Sequence, residues 1–93
     1  MTVETEKSPI TEDGGFYLLG KQRVRKSEGD GKTLALLLGG EWISLEQISE
    51  ASGWRHPQDE IDELKYRIRY NTSDRIEKRI REGKKEYRII RTE

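Results

Sequence analysis

Residues 43–54 read ISLEQISEASGW, and both ends of a helix are written into them. Ser44 followed three residues later by Gln47 is a capping box, in which each side chain satisfies an amide that the first helical turn leaves without a partner. Ile43 and Ile48 stand at the positions where an apolar pair staples the incoming chain to the helix. Gly53 supplies the left-handed residue that stops it. A short helix bounded on both sides predicts a neighbour on each side.

Upstream, Leu34, Leu37 and Leu38 form one helical stripe ended by Gly39 and Gly40, so a first helix is expected from about Lys32, with Asp30 as its cap. Downstream of the turn WRHP, Pro57 occupies a first helical position. The run PQDEIDELKYRIRYN then places Ile61, Leu64 and Ile68 on one stripe, a third helix ending near Asn71. After TSD, Ile76, Lys78 and Ile80 alternate with Glu77, Arg79 and Arg81. EGKK turns the chain, and Tyr87 and Ile89 share a face, which predicts a β-hairpin with Gly83 at its tip.

Three helices, the second short and closed by a glycine turn, followed by a basic hairpin, resemble the winged helix-turn-helix domain. The resemblance covers residues 32–91. Ser44, Ile48, Ser49, Gly53 and Trp54 match the order of cap, apolar, small, glycine and apolar turn residue, and IEKRIREGKKEYRII is similar to the wing. It implies an α+β fold, a third helix for the major groove of double-stranded DNA and a wing for the backbone or minor groove. The domain is expected over residues 16–93. Residues 1–15, polar and without period, with Pro9 and a Gly-Gly pair, are expected to be a disordered tail. FYLLGKQRVRK reads either as a strand broken at Gly20 or as a short helix using Phe16, Leu19 and Val24; the strand is favoured.

Composition narrows the function. The 93 residues are 31% hydrophobic and 39% charged, enough apolar material for one thin core and little room for an enzyme pocket. There is no cysteine, and a lone His56 beside Pro57, read as a turn residue, does not make a zinc site. No apolar run is long enough for a membrane span, and the acidic start resembles no targeting peptide, so a cytoplasmic protein without membrane partners is expected. Net charge is zero but segregated: residues 34–64 sum to −6 and residues 65–93 to +6. Such asymmetry suits nucleic acid, an acidic partner, or two halves that attract each other.

Gly-Asp-Gly-Lys-Thr at residues 29–33 invites comparison with a phosphate-binding loop. That loop needs a glycine five residues before its Gly-Lys pair, and Lys26 stands there. KQRVRKSE is also too charged for the buried parallel strand that should precede it. The segment reads as a helix start. Asp59, Glu60, Asp62 and Glu63 fall in the first turns of the third helix, where the macrodipole favours carboxylates, and Glu63 is placed to pair with Arg67. No second cluster completes a catalytic or metal site, so neither catalysis nor a cofactor is expected.

The candidate nucleic-acid contacts are Arg55 in the turn, Gln58, Lys65, Tyr66 and Arg69 on the third helix, and Arg79, Arg81, Lys84 and Lys85 on the hairpin. Gln58 suits adenine, and Arg69 suits guanine or phosphate. Hairpin cations suit phosphate, although interleaved charge also protects a sheet edge. Asp59, Asp62 and Glu63 oppose phosphates on the outward helix face. Tyr66 and Tyr70 are surface aromatics, stacking groups for nucleotides, or anchors for a protein partner. The expected function is therefore a small DNA-binding regulator. The alternative is an interaction module that meets a protein partner through the acidic, Tyr-bearing third helix; a dimer with a second copy of the chain is a further expected partner, with no surface assigned to it. Trp42 and Trp54 are expected in the core.

Overall fold

A computed structural model describes residues 7–91. The order is β1 (Thr11–Asp13), β2 (Phe16–Leu19), β3 (Gln22–Arg25), α1 (Gly29–Leu37), β4 (Ile43–Ser44), α2 (Leu45–Ser52), α3 (Pro57–Asn71), β5 (Arg75–Arg81) and β6 (Lys84–Ile90). The fold is α+β, with three helices and two antiparallel three-stranded sheets, ordered β1-β2-β3 and β4-β6-β5. Helices pack against both sheets. One core joins Ile10, Tyr17, Leu19 and Val24 from the N-terminal side to Leu34, Leu37, Ile48, Ile61, Leu64 and Ile68 of the helices and Ile76, Tyr87 and Ile89 of the hairpin.

The ends of α2 follow from side-chain chemistry. Gln47 N–H donates to Ser44 Oγ at 3.1 Å, Ser44 N–H donates to Gln47 Oε1 at 2.9 Å, and Gly53 closes the helix at φ 74°. Ile43 and Ile48 are both buried. Ser44→Ala removes one acceptor and is expected to lower stability by about 0.5 to 2 kcal/mol. An unchanged midpoint in urea would show that this box does not hold the helix.

Four expectations are corrected. Residues 7–15 do not form a disordered tail; residues 1–6 lie outside the described residues. Thr11–Asp13 pairs with β2, and Ile10 is buried. Ile10 N–H donates to the buried Asp74 carboxylate at 2.9 Å, while its carbonyl accepts from Arg91 at 2.6 Å. Partners more than sixty residues away give that backbone the bonds it needs in the interior. Secondly, α1 starts at Gly29 with Glu28 as its N-cap and no capping side chain; Asp30 sits inside the first turn. Thirdly, Arg67 pairs not with Glu63 but with Asp30 of α1, at 2.6 Å, and donates to Gln22. The Arg67 and Asp30 side chains are both largely shielded from solvent, whereas Glu63 is exposed, so the pair between helices is screened less than one with Glu63 would be. Fourthly, Trp42 is outside the core, because Ile43 is paired with Tyr87 and turns inward, which sends the preceding residue to the opposite sheet face. Trp54 does pack against the core. FYLLGKQRVRK forms the strand pair β2–β3, turning at Gly20 with φ 62°.

The hairpin turns at Glu82 and Gly83, φ 53° and 77°, a two-residue connection with both φ values positive that matches strand twist. Among the described residues no helix is long and apolar enough to cross a membrane.

Candidate nucleic-acid interface

α3 distributes its residues by its 100° step. Ile61, Leu64 and Ile68 are buried, and Arg67 turns toward α1. Two other stripes remain. Gln58, Asp62, Lys65 and Arg69 run along the flank beside the hairpin, as the bonds of Gln58 show. About a quarter-turn away, Asp59, Glu63, Tyr66 and Tyr70 form the stripe farthest from the core; Tyr66 and Tyr70 are 57% and 66% exposed.

Gln58 joins α3 to the hairpin. Its Nε2 donates to Tyr87 Oη at 3.0 Å and to Asp62 Oδ1 at 3.1 Å, and its Oε1 accepts from Lys85 Nζ at 2.7 Å. Both ends of the amide are engaged, so a base edge would have to displace a bond inside the protein. Gln58 and Lys85 are thus brought together as a structural link, a role their separation in sequence did not suggest. Burial pushes the Tyr87 phenol above its ordinary range, the Gln58 bond pulls it down, and the Asp62 carboxylate pushes it up; the net direction is upward.

Register divides the hairpin. Ile76, Lys78, Ile80, Lys85, Tyr87 and Ile89 share the face toward α3, while Glu77, Arg79, Arg81, Lys84, Glu86 and Arg88 share the other. On that outer face the Arg79 and Arg88 guanidinium carbons both lie over the Trp42 ring, 4.2 and 4.4 Å from its centre. Arg79 also pairs with Glu86 at 2.7 Å, and Arg88 with Glu77 at 2.9 Å. These arginines hold the sheet together through charge and ring contact, and Arg79 is the less available to a phosphate. Lys84 lies 3.8 Å from Glu46 with both side chains mostly exposed, a loose pair that contributes little.

The other cations sort clearly. Arg91 is bound to the buried Asp74, Lys26 to Glu12, and Arg23 and Arg25 lie over Phe16. Among the described residues, seven cationic side chains have no ion pair, hydrogen bond or ring partner: Lys21 and Lys32, and a group of five, Arg55, Lys65, Arg69, Lys78 and Arg81. All of this group of five lie on α3, on the turn that leads into it, or on β5, and α3 and β5 pack side by side. Four of them were identifiable in the sequence. Lys78 was missed; its only signal was its alternation with Ile76 and Ile80 on a strand whose apolar face ends before the tip.

The Gly-Lys-Thr segment has a packing role. A Cβ on Gly31 would lie 2.0 Å from the Arg25 carbonyl oxygen, and one on Gly29 would lie 2.4 Å from Trp54 Nε1. These glycines let α1 approach the end of β3 and the turn before α3. Lys32 is exposed, and Thr33 Oγ1 donates to the Gly29 carbonyl at 2.9 Å. Comparison with protein-family models, curated proteins and solved structures gives no match.

Proposed function

We propose that this chain is a winged helix-turn-helix domain that binds double-stranded DNA, a small regulator without catalysis. The observation that carries the reading is the set of unpartnered cations Arg55, Lys65, Arg69 and Lys78 along α3, the turn before it and the edge strand β5, with Arg81 at the hairpin tip on the other sheet face, while most cations elsewhere are engaged within the protein. Such a set suits phosphates, whose neutralisation dominates duplex affinity. In this reading the Lys65 and Arg69 flank of α3 faces the major groove, and the hairpin, with Arg81 at its tip, follows the backbone. Gln58, bonded to Lys85 and Tyr87, ties the two elements together.

If these cations neutralise about four or five phosphates, duplex binding falls with salt at a log-log slope of about −4. Arg81→Ala is expected to flatten that slope by about one and to weaken specific and random duplexes alike. Fluorescence anisotropy with a labelled duplex, from about 50 to about 200 mM salt, measures this. A folded chain that binds no duplex at the lower salt overturns the reading.

A second reading is favoured by the outward stripe of α3. Asp59, Glu63, Tyr66 and Tyr70 are exposed, and the carboxylates oppose phosphates while the rings suit a protein surface. The two readings use different stripes of one helix.

A further inference from the structure

We propose that the outward stripe of α3 is where two copies of this chain pair, helix antiparallel to helix. Its centre is the Tyr66–Tyr70 pair, two exposed rings whose centroids lie 6.2 Å apart with planes 13° from parallel. On the N-terminal side are Asp59 and Glu63, neither in an ion pair among the described residues. On the C-terminal side, Tyr70 and Asn71 border a groove shared with Lys7, Gly20 and Lys21. Among the described residues, Lys21 is exposed and unpartnered, and Lys7 Nζ donates to the Arg69 carbonyl at 3.3 Å and has no ion pair. From residue 59 to residue 70 the stripe runs about 17 Å. It is negative at one end, aromatic in the middle and positive at the other.

That order selects the occupant. A duplex meets carboxylates at one end, where phosphates are repelled. A basic protein segment satisfies Asp59 and Glu63 but leaves the lysine end facing like charge. A second copy related by a two-fold axis across the tyrosines satisfies both ends, because each contact in such an interface occurs twice, with the roles exchanged. Asp59 and Glu63 of one copy then face Lys21 and Lys7 of its partner, with rings against rings. A parallel arrangement sets acid on acid. The hairpin-side stripe lies about a quarter-turn from the outward one, so in the antiparallel pair both hairpins project to the same side. This inference does not depend on DNA binding; if the duplex reading also holds, the pair presents two sets of open cations to one two-fold duplex.

The test is sedimentation equilibrium of the full chain without DNA, over a thousandfold range of concentration at low salt. The wild type is expected to pass from monomer to dimer, less readily as salt rises. Tyr66→Ala is expected to weaken association at least tenfold. Asp59→Lys alone and Lys21→Glu alone are each expected to be monomeric, since each homodimer then faces like charges. Their equimolar mixture is expected to dimerise, because both exchanged contacts are again opposite in sign. Circular dichroism shows whether each variant is folded, and Glu63→Lys replaces Asp59→Lys if the latter is not. A folded wild type that stays monomeric throughout, including one that instead captures a basic peptide, overturns the proposal. So does a dimer indifferent to Tyr66→Ala and to the charge exchange.

Discussion

Gly31→Ala is expected to destabilise the chain by about 2 to 3 kcal/mol, although alanine is the better helix former. The propensity gain inside α1 is about 1 kcal/mol. Against it stands a methyl group 2.0 Å from the Arg25 carbonyl oxygen and 2.5 Å from Lys26 Cα, both backbone atoms, which have no alternative rotamer. α1 must move off the end of β3, and Leu34 and Leu37 move with it out of the core. Gly15→Ala is the control, since a Cβ there meets nothing. Urea unfolding of both variants measures the difference. A Gly31→Ala chain as stable as the wild type would show that the approach of α1 to β3 is looser than described.

Tyr87→Ala is expected to lower stability by about 4 kcal/mol, the range for losing a buried aromatic ring. Tyr87 is only 1% exposed. It pairs with Ile43 of β4 and Lys78 of β5, and its hydroxyl accepts from Gln58 of α3. Its loss therefore opens a cavity where the sheet meets the helix. Tyr87→Phe keeps the ring and removes one hydrogen bond, so a loss of about 1 kcal/mol is expected. The pair also differs in alkali. Burial raises the phenol in the folded chain above the ordinary value of 10.0, so the folded state holds the proton where the unfolded state releases it. That contribution is fully present below pH 10.0 and is lost as pH rises through the folded value. The alkaline fall in wild-type stability is expected to be shallower in Tyr87→Phe, which has no such proton. Equal slopes for the two chains would remove the linkage.

The legible parts of the fold were those written in local chemistry. α2 could be read to the residue because Ser44, Gln47 and Gly53 act on backbone groups within a few positions of themselves. α3 could be read from Pro57 to Asn71 because a proline start and one apolar stripe both lie inside the helix. Gly83 marked the hairpin tip because positive φ is a local demand. β1 and β4 were not legible. Thr11–Asp13 has no exposed-to-buried alternation, and Ile43–Ser44 is two residues long, so each is a strand only because β2 or β6 lies beside it.

The candidate interface divides in the same way. Which residues carry charge is a property of the sequence, and the clustering of bases after residue 65 was visible there. Which of those charges remain open was decided by pairing across the sheet and between helices. Arg79 and Arg88 are held on Trp42 by strand register, Lys85 is held by Gln58 from α3, and Arg67 is drawn to Asp30 of α1. Arg69, Lys78 and Arg81 stay open because no carboxylate reaches them among the described residues. By itself the sequence determined the three helices, the hairpin and the supply of cations, because caps, apolar periods and turn residues act over a few bonds. Tertiary structure alone decided which cations face outward, since an ion pair depends on distances between elements that are set only when the core closes.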